Sequence, residues 1–129
     1  MNKKMAFEWL KLANDDLSLI NEIIDKGNFT NIAAFHAQQA VEKTLKALLE
    51  YHKRSIPRKH DLFFLKESVK DFIEITNDDI LDTLNKLYID SRYPGDLGLM
   101  PEGKPSIKDI EKFYNYATQL YHRIKNLII

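Results

Sequence analysis

The residues of this chain that could act on a phosphate are cations, and they fall in three places. Arg92 stands in the run Ser91-Arg92-Tyr93-Pro94-Gly95-Asp96. Its planar fork can hold a phosphate through two hydrogen bonds while the ring of Tyr93 stacks on a base. The structural alternative has both residues closing a helix and starting a turn. Lys53, Arg54, Arg58, Lys59 and His60 crowd into the segment 53–60, where a concentration of positive charge can meet phosphates; a solvated loop is the commoner use of such a run. His60 directly precedes Asp61, and an imidazole titrating near neutrality can transfer protons. It can equally be a polar residue at a helix start.

The third place is a polar stripe, Gln39, Glu42, Lys43 and Lys46, beside the small residues of Ala34-Phe35-His36-Ala37-Gln38-Gln39-Ala40-Val41. Spacing alone favours a solvated face on which Glu42 and Lys46, four apart, contribute about a few tenths of a kcal/mol. His36, His52, His60 and His122 have none of the short spacings of zinc ligands, cysteine is absent, and no glycine-rich loop is present to cradle a triphosphate. The expected set is therefore no metal and no cofactor.

The elements that must position these groups are helices. Through most of the chain apolar residues recur at steps of three and four. Met5, Trp9, Ala13, Leu17, Ile20 and Ile24 form a first stripe that Gly27 ends. Asn28 suits the N-cap of a second helix carrying Ala34, Ala37, Val41, Leu45 and Leu48 to about Tyr51, and Asp61 suits that of a third with Leu62, Leu65, Val69 and Phe72. Asn77 or Asp78 can start a fourth, with Ile80, Leu84, Leu87 and Tyr88. Ser106-Ile107-Lys108-Asp109 has the form of a capping box before Ile110, Phe113, Ala117, Leu120, Ile124 and Leu127. Between them, Pro94 to Pro105 form the longest loop. The fold class is all-α, an up-and-down antiparallel bundle of four to five helices, with residues 1–129 as one domain.

Composition narrows the function. At 44% apolar and 29% charged residues the chain has too much hydrophobic material to stay disordered. Nineteen Lys plus Arg balance nineteen Asp plus Glu, so no global field draws in nucleic acid or anionic lipid, and any such contact must use a local patch. No apolar run is long enough to span a bilayer, and the start Met1-Asn2-Lys3-Lys4 is no signal peptide. A cytoplasmic location is expected, with no membrane contact and no DNA-specific motif.

The run from Ala34 to Leu48, then His60-Asp61-Leu62, then Ser91-Arg92-Tyr93-Pro94 resembles, in order, the three signatures of HEPN domains, and the likeness extends to Trp9 and Asp16-Leu17 in the first helix. It implies a helical bundle that is commonly a homodimer, often encoded beside a small nucleotidyltransferase in toxin-antitoxin pairs. Many relatives are metal-independent ribonucleases whose motif is an arginine followed, after a short gap, by a histidine. Arg92 matches the arginine. Leu97, Gly98 and Leu99 stand where the histidine belongs, and the next one is His122. Arginine stabilises charge but does not exchange protons near neutrality.

The resulting expectation is a homodimer that binds nucleotide or RNA phosphate through Arg92, Tyr93, Gln39, Lys43, Lys46, Lys53, Arg54, Arg58 and Lys59, with a nucleotidyltransferase partner. The alternatives are a ribonuclease toxin using Arg92 and His60 as catalytic residues, and a non-catalytic protein-interaction module.

Overall fold

A computed structural model describes residues 2–58, 60–90 and 104–128. Among these the chain forms five α-helices and no strand: α1 (Lys3–Ile23), α2 (Thr30–Tyr51), α3 (Leu62–Ser68), α4 (Asp78–Asp90) and α5 (Ile107–Leu127), with a 3-10 turn at Ile24–Lys26 after α1. The all-α expectation holds.

The helix ends follow from local chemistry. Gly27 takes φ 68° and turns the chain, a left-handed conformation that costs glycine little. Asp61 Oδ1 accepts from the backbone N–H groups of Phe63 and Phe64, and Ser106 and Asp109 exchange the two hydrogen bonds of a capping box. α2 departs from expectation. It begins at Thr30 after Phe29, with no side-chain cap, while the carbonyl of Asn28 accepts from Lys104. α3 is shorter than its apolar pattern: Val69 caps it and Phe72 lies beyond it in turns.

α2 is the axis of the molecule, packed against α1, α3, α4 and α5. Ala33, Ala34, Ala37, Ala40 and Ala47 are all buried along it, and small side chains let neighbouring helices approach closely. α1 runs antiparallel to α2: Asn2 donates its backbone N–H to Tyr51 at one end, and Asp16 meets His36 further along. The buried face of α1 is Ala6, Leu10, Ala13, Leu17 and Ile20, whereas Met5 is exposed and Trp9 half-buried. The expected stripe was therefore right in its centre but placed one position off at its start, because alanine, not methionine, suits the close contact with α2. α5 buries Ile110, Phe113, Ala117, Leu120 and Ile124 as expected, while Leu127 is exposed.

No helix among the described residues is long and apolar enough to cross a membrane.

Candidate functional site

No side chain of α2 is fully exposed, and the helix carries one charged pair inward. Glu42 is 4% exposed and Lys46 6%; Lys46 Nζ donates to Glu42 Oε2 at 3.1 Å. The expected solvated face is corrected here. α1 lies over this side of α2, with the Trp9 ring 5.6 Å from Lys46 Nζ, and removes the water that an exposed pair would keep.

Glu42 has two further partners. Its Oε1 atom accepts from Gln38 Nε2 at 3.3 Å and lies 2.8 Å from Nδ1 of His60. Against a carboxylate oxygen Nδ1 is the donor, so the Glu42 carboxylate fixes the orientation of the ring. Asp61 fixes the segment beside His60: it caps α3 and accepts from Asn85 of α4, whose own Oδ1 accepts from the backbone of Leu62. α2 thus holds the imidazole through Glu42, while α3 and α4 fasten the residues that follow it.

The remaining residues of the polar stripe are also engaged. Lys43 Nζ donates to Asp16 Oδ2 at 2.9 Å, and His36 Nδ1 lies 2.8 Å from Asp16 Oδ1. Gln39 donates to Gln38 at 2.7 Å, which joins it to the Glu42 group. Asp16, His36 and Gln38 were not singled out from sequence as site residues. Asp16 carried a usable signal, since it falls in step with Ala13, Leu17 and Ile20 on a face that is otherwise apolar. Because Lys43 and Lys46 are each neutralised by a buried carboxylate, they add little net field at the surface.

Exposed positive charge gathers in the segment after α2. Lys53 takes φ 55°, and Lys53, Arg54 and Arg58 are exposed. The Arg54 guanidinium lies over the Phe72 ring at 5.1 Å, and His52 stacks on that ring at 3.7 Å. Burial, and then the nearby Arg54 charge, hold the His52 pKa below its ordinary value. Arg92, Tyr93 and Lys59 lie outside the described residues. The structure thus joins His60 to the helix-two stripe through Glu42 and puts Lys53, Arg54 and Arg58 on the segment leading to it.

Among the described residues no group of three or more His, Asp or Glu side chains stands together as a metal site would require.

Comparison with known proteins agrees with the helical fold. No curated protein matches the chain. Two solved structures are similar along nearly their whole length. One is ST0689, an archaeal HEPN homologue, 27% identical, covering 96% of this chain and 98% of its own, with a TM-score of 0.70. The other, TT1696 from Thermus thermophilus, is 24% identical, covers 98% of this chain and 99% of its own, and has a TM-score of 0.78; it supports the fold alone. The model of the HEPN domain matches residues 6–127, and with that coverage the chain belongs to the HEPN domain family.

Proposed function

We propose that this HEPN domain binds the phosphate of a nucleotide or RNA as a two-fold homodimer and works with a small nucleotidyltransferase partner in a toxin-antitoxin-like pair. The observation that carries the reading is the convergence of Lys53, Arg54 and Arg58 on one exposed segment that ends in His60, itself held by the buried Glu42. In a net-neutral molecule an anion is retained only where cations are concentrated and carboxylates are not. Arg92 and Tyr93 complete the site in this reading, by bidentate contact and by stacking. The exposed Phe7 and the half-buried Phe35 supply apolar surface for an isologous contact.

Titration of the purified protein with ATP, GTP and a short RNA tests the binding, run beside thermal melts of Arg92→Lys and Tyr93→Ala. Weakened binding with unchanged melting supports the reading. Lowered melting with no saturable binding by any ligand leaves Arg92 and Tyr93 as structural residues and the chain as an interaction module. Light scattering at micromolar concentration tests the assembly, with twice the 15.1 kDa chain mass expected and a stable monomer refuting it.

One observation favours a second reading, that of a metal-independent ribonuclease. A buried carboxylate on Nδ1 of a histidine orients the ring and defines its tautomer, the arrangement that proton-transfer histidines use. In that reading His60 exchanges the proton with the 2′-hydroxyl or the leaving oxygen, and Arg92 stabilises the charge that develops on the phosphate.

A further inference from the structure

The segment after α2 forms one wall of a groove of about 340 Å³ lined by Leu49, Arg54, Ser55, Pro57, Phe64 and Ser68. That volume lies within the range of small-molecule sites. Its lining divides by chemistry. Leu49, Pro57 and Phe64 are apolar, and Phe64 is 42% exposed. Ser55 and Ser68 bring hydroxyl groups; Ser68 Oγ donates to the Phe64 carbonyl at 2.8 Å, so its lone pairs remain for accepting a hydrogen bond. Arg54 supplies the charge, and among the described residues no carboxylate lines the groove.

Two features make this wall a prepared surface. The backbone N–H groups of Lys53 and Arg54 donate to Glu50 and Leu49 at 3.0 and 2.9 Å, so the loop is fastened to the end of α2 before any ligand arrives. Outside the groove, the Arg54 guanidinium meets, among the described residues, the Phe72 ring and Asp71 at 4.0 Å, an ion pair in which both side chains are more than half exposed. Such a pair contributes little in water, so a phosphate can displace it.

We propose that this groove is a nucleobase site, in which the ring of a nucleotide lies against Phe64 and Pro57, the serine hydroxyls meet its edge, and its phosphate points to Arg54. An anion joined to a flat ring matches the division of the lining. A simple phosphate would leave the apolar wall unused, and an apolar peptide would leave the arginine unused. The proposal rests on the phosphate-binding reading above and adds, apart from the stacking given there to Tyr93, a second place at which a base is recognised.

The test uses the full chain with AMP, ribose 5-phosphate and a short single-stranded RNA as probes, read by calorimetry and by backbone amide NMR. AMP is expected to bind about 5- to 100-fold more tightly than ribose 5-phosphate, the span that stacking a base provides, with amide shifts centred on Ser55, Phe64 and Ser68. Phe64→Ala should remove that preference and leave ribose 5-phosphate binding intact; Arg54→Ala should weaken both ligands. Thermal melts show that each variant is folded. RNA that displaces AMP places a base of the strand in the groove, and AMP binding without RNA competition makes the free nucleotide its occupant. Equal affinity for AMP and ribose 5-phosphate, an unchanged preference in Phe64→Ala, or shifts centred elsewhere overturn the groove while leaving the phosphate reading standing. Absence of binding by all three probes overturns both.

Discussion

Nδ1 of His60 stands 2.8 Å from Oε1 of Glu42, a carboxylate that is 4% exposed at the middle of α2. Ionised carboxylates are costly to bury without partners, and this one has three, Gln38, Lys46 and His60. One carboxylate therefore serves two groups: it makes the helix-two lysine tolerable inside the bundle and holds the imidazole that ends the basic segment.

The buried pair should be sensitive to loss of either member. Lys46→Ala leaves Glu42 with fewer compensating partners, and Glu42→Ala leaves an ammonium inside the bundle; each is expected to lower unfolding free energy by about 3–5 kcal/mol. The double substitution should cost less than the sum, since one interaction is counted in both single variants. Urea denaturation of the four proteins measures this. Additive losses would mean that the pair contributes no coupling.

The two side-chain caps provide a smaller, local test. Ser106→Ala removes the acceptor for the Asp109 N–H and should lower stability by about 0.5–2 kcal/mol. Asp61→Ala should do the same at α3 and also loosen the His60 segment, because Asn85 loses its contact with Asp61. The His60 ring resonances should then move in Asp61→Ala and stay in place in Ser106→Ala.

Tyr116 predicts an alkaline limit. Its hydroxyl donates to the Thr76 carbonyl at 3.0 Å, and burial, followed by the charge of Asp78, pushes its pKa up from 10.0 to about 12, with Arg123 opposing. A group whose folded pKa lies above its unfolded value gives stability that is complete below the unfolded pKa and declines as pH rises through the folded one. Stability should therefore fall between pH 10 and about 12. In Tyr116→Phe that part of the slope should vanish, as monitored by melting temperature and by phenolate absorbance.

As a ribonuclease the chain alone should be slow. The residues after Arg92 that would hold a histidine in active relatives are Leu97, Gly98 and Leu99, and general acid-base help contributes about 10²–10⁴-fold. Fast turnover of single-stranded RNA in EDTA, lost in both Arg92→Ala and His60→Ala, would refute this and establish His60 as the replacement proton-transfer group.

The amino-acid sequence by itself determined the helices and most of their ends. Asp61, Gly27 and the Ser106–Asp109 box act within a few residues of themselves, and the period of Ile110, Phe113, Ala117, Leu120 and Ile124 needs only a helix and a core to be read. Only the tertiary structure decided which polar residues are buried and with whom. A lysine four residues after a glutamate has the same spacing on an exposed helix and on an enclosed one; Glu42 and Lys46 became a buried pair because α1, α3, α4 and α5 surround α2. The partnerships of Asp16 with Lys43 and of Glu42 with His60 span 27 and 18 residues of chain. Helical periodicity carries no information across such separations, because it records the face a residue occupies on its own helix and not the helix that comes to lie against that face.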